Sequence, residues 1–326
     1  MISLNNNVKR KLQFILDNYE ALSCKSYKLP CGANIIDMGI EAKGSFEAAR
    51  LFTEINMADL GTVTYRDYVL EDGHSCLAVE VMTSEPILAL RYSQIASYPI
   101  GDGMIGSGPG RAVARNKEDY CFDIPDSYRD TEAELVVLGV QGQRVPDDEI
   151  AMKIAEECNM SPDNIYLLVH NNTSIVAAVQ VAARILEQTL HKIMMQEDQS
   201  IEYALEFARG FALVAPVTLD DDEAMGKIND SLLYGGRSQY WVKCKSDEEI
   251  TRILPKLVTE YSKDYGRSFR ELYLEADRTY YKMDLNIHSP ARVEIFNMNT
   301  GNIFSQGNIR EDIISSSFFK NKRKKV

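Results

Sequence analysis

The stretch Asn171 to Gln196, NNTSIVAAVQVAARILEQTLHKIMMQ, decides how the rest of the chain is read. Neither Gly nor Pro occurs from Thr173 to Arg209, and Asn171, Asn172, Thr173 and Ser174 offer side-chain oxygens suited to capping a helix start. The spacing predicts one long helix, continuing helical through Ile201–Arg209. At 100° per residue Ile175, Val179, Ala182, Leu186, Leu190 and Ile193 form one apolar stripe, with Val181 and Ile185 apolar on a second side. A helix of this kind is mostly buried. Gln180, Arg184, Glu187 and His191 follow at i, i+4, i+7 and i+11, a narrow polar line along it. Two readings of that line stay open. Arg184 and Glu187 are either an ion pair on a solvated edge or a cleft wall in which a guanidinium holds a carboxylate for proton chemistry.

Buried strands flank this stretch. Ala133–Val140 (AELVVLGV) and Ile165–Val169 are continuous apolar runs of the kind that parallel strands covered on both faces require. The helix–strand–helix order around them predicts layered α/β (α+β) architecture, and 326 residues with 45% hydrophobic content support two domains with real cores. The boundary is placed at 170/171, giving a first lobe at 1–170, discontinuity allowed, and a second at 171–319 that begins with the long helix. The basic tail KNKRKKV at 320–326 is expected to be disordered.

Charge and cysteine usage narrow the function classes. The net charge is −12, and the tail alone holds five of the 36 Lys and Arg, so the body is more acidic still; nucleic acid and anionic membrane surfaces are poor partners for it. Six cysteines without a CxxC pair point to reduced thiols rather than a disulfide or zinc framework. No signal core and no run near the ~18 apolar residues of a membrane span is present, so a soluble cytoplasmic protein is expected.

Three other segments are candidates for ligand contact. Gly39–Gly44 is rich in small residues before a helix start at Gly44–Ser45, and reads equally as a ligand approach or a strand-to-helix turn. Ile100–Arg111, IGDGMIGSGPGR, reads as a long surface loop or, because it ends in Arg111 and runs into a helix start at AVAR, as a phosphate cradle of backbone N–H groups. The Walker and dinucleotide patterns are both absent. Asp220, Asp221, Asp222 and Glu223 stand together at a helix start, as caps, as a magnesium or calcium site lacking the usual loop spacing, or as acceptors for an amino-rich heterocycle.

GSGPGRA at 106–112, NIYLLV at 164–169, SIVAAVQVAARILE at 174–187 and LVAPVTLDDDEAMGKINDSLLYGG at 213–236, in this order, resemble the methenyltetrahydromethanopterin cyclohydrolase family, and the likeness runs from residue 2 to about 319. It departs at His170–Asn171–Asn172, where smaller and less polar residues are expected, and in the basic tail. The resemblance implies two α/β domains facing each other across a deep cleft, a homotrimer, and reversible hydration of 5,10-methenyl- to 5-formyl-tetrahydromethanopterin in one-carbon metabolism of methanogenic and methylotrophic cells. It implies no metal and no separate cofactor. The positions matching the family's catalytic carboxylate and neighbouring arginine are Glu187 and Arg184. Under the same reading Asp221, Asp222 and Glu223 anchor the pterin, and Gly106, Ser107, Gly108, Gly110 and Arg111 hold its phosphate-bearing tail. A non-catalytic pterin- or phosphate-ligand-binding protein and a metal-dependent hydrolase using Asp220–Glu223 are the alternatives.

Overall fold

The computed structural model describes residues 2–196 and 201–319, so the basic tail lies outside the described residues. Among the described residues there are twelve strands: β1 Lys25–Lys28, β2 Asn34–Gly39, β3 Gly61–Val69, β4 Ser75–Thr83, β5 Tyr98–Gly101, β6 Met104–Ser107, β7 Val136–Gln141, β8 Ile165–His170, β9 Leu205–Leu213, β10 Gly236–Val242, β11 Arg292–Asn297 and β12 Ile303–Gly307. They form two six-stranded sheets, ordered β1-β2-β8-β7-β6-β5 and β12-β11-β10-β9-β4-β3. Both sheets are mixed and carry helices, which is the α/β class expected.

Contacts divide the chain into one unit of Met1–Thr62 with Glu85–Gln180 and a second of Val63–Ser84 with Val181–Val326. This differs from a cut at 170/171 in two ways. The segment Val63–Ser84 belongs to the second unit because β4 pairs antiparallel with β9, Val79 opposite Ala212 and Val81 opposite Gly210. The other end of the division falls at Gln180/Val181, ten residues beyond the end of β8.

In the first unit the parallel centre β2-β8-β7 is built from the apolar runs read in the sequence, with Ile35 opposite Leu167 and Val140 opposite Val169. One face packs Ile35, Leu138 and Leu167 against Ile150, Ala151 and Ile154 of the Asp148–Glu157 helix. The Phe46–Asn56 helix lies against β7, close enough that a Cβ at Gly139 would stand 2.7 Å from the Phe52 ring. Gly39–Gly44 is a turn whose amides are already used: the buried Asp37 carboxylate accepts from the N–H of Gly39, Ile40, Glu41 and Ala42 at 2.7–3.0 Å. Gly44 N donates to Ser23 O at 2.8 Å, so five of the turn's backbone donors are occupied.

The long helix is interrupted. Helix Ile175–Ala182, capped by Ser174 whose Oγ accepts from Ala177 N at 3.1 Å, ends two residues before a second helix, Ile185–Met194. At the break Arg184 N bonds Val181 O, a tighter i→i−3 turn, and Arg184 takes φ −80° and ψ 2°. No helix breaker stands at this point in the sequence; tertiary packing supplies the cause. Gly210 and Gly236, on adjacent strands β9 and β10, leave a hollow into which Ile185 fits, and a Cβ at either glycine would meet Ile185 at 2.5 or 2.4 Å. Thr189 Oγ1 on Ser238 Oγ at 2.8 Å and Tyr240 Oη on Leu186 O at 2.6 Å fix the second helix on the sheet. Nor does helix continue through Ile201–Arg209, because Leu205–Leu213 is β9, with Ala208, Gly210 and Ala212 inward and Phe207, Arg209 and Phe211 outward. That period of two satisfies the sheet on both sides, and it overrides the helical propensity of the segment.

Candidate active site

The interruption changes where Arg184 and Glu187 stand. Arg184 is the residue before the Ile185–Met194 helix and Glu187 lies in its first turn, so the carboxylate sits where unpaired backbone N–H groups and the helix dipole complement negative charge. Arg184 Nη1 donates to Glu187 Oε2 at 2.9 Å, with side chains 10% and 13% exposed. The pair is therefore within reach of solvent or a ligand, yet not at large in water. Tyr240, on β10, is fully buried beside it; burial, reinforced by the charge of Glu187, pushes its phenol well above its ordinary value. It is a neutral donor whose proton is committed to Leu186 O. One turn beyond Glu187, burial and then Lys192 bring the His191 imidazole down to about 4. Burial, then Lys192 and His191, bring His288 down to about 3, and its ring stacks on Tyr280 at 3.7 Å. Both imidazoles are neutral near pH 7, and Lys192 Nζ donates to Asn286 Oδ1 at 3.0 Å.

The acidic cluster sits at the start of the Asp221–Gly235 helix, which packs on the same face of the second sheet. Asp220 caps it, Oδ1 accepting from Glu223 N at 2.8 Å. Asp222 is forked by Arg278 at 2.9 and 2.7 Å, which holds its carboxyl below the usual range. Glu223 pairs with Lys227 at 3.1 Å, and Asp221 is exposed. The capping reading thus accounts for Asp220. Among the described residues no three His, Cys, Asp or Glu side chains form a group suited to a metal ion.

The glycine-rich segment is not a long loop, and no α-helix starts at its end. Asp102 and Gly103, φ 50° and 73°, turn β5 into β6, and the Asp102–Gly103 dipeptide between apolar residues was the available signal of a hairpin. Beyond β6, Pro109–Ala112 is a single 3₁₀ turn rather than the start of an α-helix. Gly108, at φ 103°, leaves a Cβ site only 2.9 Å from Asn56 Oδ1, and a Cβ at Gly110 would lie 2.8 Å from Val136. Gly106 and Ser107 are buried, with Ser107 Oγ donating to Asn56 Oδ1 at 2.8 Å. These residues lie flat on β7 and neighbouring side chains. Arg111 is 0% exposed: Nε and Nη2 clasp Asp119 at 3.0 and 2.6 Å, Nη1 donates to Arg91 O and Ser93 O, and Nη2 also donates to Ser97 Oγ. All five guanidinium N–H groups are used inside the protein, which is the arrangement of a structural arginine.

The family model described as "Cyclohydrolase (MCH)" matches residues 3–318. The chain belongs to this cyclohydrolase family. It is 31% identical over 327 residues, 98% of this chain and 99% of the other, to a protein of Methanobrevibacter smithii named methenyltetrahydromethanopterin cyclohydrolase. It is 34% identical over 321 residues, 97% and 98% of the two chains, to a protein of the same name from Methanococcus maripaludis. A Methanothermobacter marburgensis protein, again of that name, is 31% identical over 324 residues.

In this member of the cyclohydrolase family the structure brings Arg184 and Glu187 into direct contact, as their spacing in sequence allowed. The polar line that singled them out depended on an unbroken helix, and the break at Ala183–Arg184 ends it. Tyr240 and His288 were not legible as neighbours of this region, because Tyr240 is one inward residue among several on β10 and His288 lies 101 positions beyond Glu187 in the chain. Where His170–Asn171–Asn172 departs from the smaller residues expected, His170 is buried edge-on to Phe52 at 4.9 Å and Asn172 Oδ1 accepts from Gln141 at 2.7 Å. Among the described residues no helix is long and apolar enough to cross a membrane, and all six cysteines are free thiols.

Proposed function

We infer that this protein hydrates 5,10-methenyl-tetrahydromethanopterin to 5-formyl-tetrahydromethanopterin, reversibly, with Glu187 as general base. The observation that carries the reading is the Arg184–Glu187 pair at the start of a helix, in a chain matched end to end by proteins named for this reaction. The substrate carbon is flanked by two nitrogens that share a positive charge. Water oxygen bonds to that carbon and loses one proton to the Glu187 carboxylate; the bond from carbon to one nitrogen then breaks as the oxygen becomes a formyl carbonyl, and the remaining hydroxyl proton ends on the freed nitrogen. The net change is one water consumed and one proton released. A carboxylate beside a cationic carbon also stabilises it electrostatically. Arg184, at 2.9 Å, keeps the carboxylate charged and aimed.

The remaining assignments belong to the same proposal. The amino and ring N–H donors of the pterin meet Asp221 and Asp222 at the exposed start of their helix, Asp222 exchanging Arg278 for the heterocycle, while Glu223 stays with Lys227. The reaction uses neither metal nor separate cofactor, because the substrate is already an activated cation. The protein works in the cytoplasm as a homo-oligomer, a trimer. A metal-dependent hydrolase at Asp220–Glu223 is not favoured, since the cap, Arg278 and Lys227 occupy those carboxylates. The test is spectrophotometric loss of methenyl-tetrahydromethanopterin on adding the protein, before and after a chelator. No turnover above the uncatalysed rate would overturn the reading, and loss restored by magnesium or zinc would overturn its metal-free part.

A further inference from the structure

Three successive inward positions of β10 each meet one of the first five residues of the Ile185–Met194 helix, which carries Glu187. Gly236 leaves the hollow for Ile185, where a Cβ would stand 2.4 Å from the Ile185 side chain. Two residues on, Ser238 Oγ lies 2.8 Å from Thr189 Oγ1, and Thr189 Oγ1 donates to Ile185 O at 3.0 Å. A hydroxyl has one proton to give, so Ser238 is the donor to Thr189, and the relay runs from Ser238 through Thr189 to Ile185 O. Two residues further, Tyr240 Oη donates to Leu186 O at 2.6 Å. An α-helix uses one lone pair of a carbonyl for its own i+4 N–H, which leaves the second for these hydroxyls. The two carbonyls that precede Glu187 in its helix are thus held from the sheet, and Ser238, Thr189 and Tyr240 are all completely buried.

The break at Ala183–Arg184 means that this helix does not inherit its direction from the one before it, so its rotation about its own axis is set by what it touches on the sheet. Apolar packing of Ile185 in its hollow is non-directional, whereas hydrogen bonds to two carbonyls fix an angle. The Leu186 carbonyl belongs to the planar peptide unit that carries Glu187 N, so Tyr240 pins the plane from which the Glu187 side chain departs. Side chains reach about 5–6 Å from a helix axis, so a rotation of about 10° carries a carboxylate about 1 Å, a misplacement that can cost on the order of 10²-fold in rate. We propose that Tyr240, Ser238 and Thr189 are positioning residues for the Glu187 carboxylate, a hydroxyl clamp from β10 that sets the rotation of the helix start and acts through the helix backbone rather than on the substrate. The inference rests on the reading of Glu187 as general base and names what aims it.

Two substitutions at Thr189 separate the clamp from packing. Thr189→Val keeps the shape and removes the hydroxyl, while Thr189→Ser keeps the hydroxyl and removes a buried methyl. Turnover and Michaelis constant for methenyl-tetrahydromethanopterin are measured on the intact protein together with melting temperature. Tyr240→Phe and Thr189→Val are expected to lose roughly tenfold or more in kcat with KM nearly unchanged, and Thr189→Ser to retain kcat. The reverse order at Thr189, with the valine variant active and the serine variant impaired, assigns these residues to packing and overturns the inference. In a Glu187→Gln background neither Tyr240→Phe nor Thr189→Val should lower kcat again; a second loss of the same size overturns action through Glu187. Wild-type kcat in both Tyr240→Phe and Thr189→Val, beside a large loss in Glu187→Gln, overturns the clamp and leaves the general base standing. A fully active Glu187→Gln variant overturns the base and the clamp with it. Should Tyr240→Phe fail to fold, the two Thr189 variants decide.

Discussion

Arg111 and Arg184 each hold a carboxylate, Asp119 at 2.6 Å and Glu187 at 2.9 Å, and the two pairs differ in their surroundings. Arg111 is sealed, every N–H of its guanidinium donating within the first unit. The Arg184–Glu187 pair is 10% and 13% exposed and stands at a helix start on the second sheet. A closed, fully hydrogen-bonded ion pair stabilises the arrangement of chain around it; a pair with an accessible carboxylate keeps chemistry available. The contrast lies in which donors and acceptors are left over, since residue types and distances are nearly the same.

The strongest way to break the comparison is Glu187→Gln. Turnover is expected to fall roughly 10²–10⁴-fold, the usual worth of a positioned general base, with the melting temperature nearly unchanged. A stable, fully active variant would make this pair structural too. Next is Arg111→Ala, which strands Asp119 in a site where both side chains are almost completely buried. A loss of about 3–5 kcal/mol in unfolding free energy is expected, with turnover of the folded fraction retained. If the Michaelis constant rose while stability held, Arg111 would have to be reassigned to the ligand.

Arg184→Ala sharpens the contrast further. Its turnover should fall less than that of Glu187→Gln, and the acid limb of the rate profile should move to higher pH, because the cation that favours the ionised carboxylate is gone. A purely structural arginine would lower the melting temperature and leave the profile in place. A smaller effect concerns stability against pH. His191 is brought to about 4 from the ordinary 6.5, so the unfolded chain binds the proton more readily. The contribution is fully present above pH 6.5 and is lost as pH falls toward about 4. Melting temperature should drop across that window, and His191→Gln should flatten the drop. The smallest effect is expected from Asp222→Asn: stability unchanged, since Arg278 is largely exposed, and a several-fold rise in the Michaelis constant read from initial rates. An unchanged constant would remove Asp222 from the pterin site.

Much of this was legible in the chain. The runs VVLGV and IYLLV could only be covered strands, Ser45 and Asp220 announce helix starts that they do cap, and the spacing of Arg184 and Glu187 already allowed their contact. Such features depend on residues a few positions apart, and local sterics and burial are enough to set them. The break at Ala183–Arg184, β9 in a segment of good helix formers, and the sealing of Arg111 were not legible, because their causes lie elsewhere in the chain. Gly210 and Gly236 make the hollow for Ile185, β4 and β10 offer β9 its backbone partners, and the carbonyls of Arg91 and Ser93 with Asp119 close around Arg111. Sequence alone therefore determined the class of fold, its buried strands and the spacing that brings Arg184 onto Glu187. Tertiary structure decided that Glu187 stands at a helix start and that the donors of Arg111 are all taken up inside the protein, since both outcomes turn on which distant groups fill a donor's reach or a side chain's space.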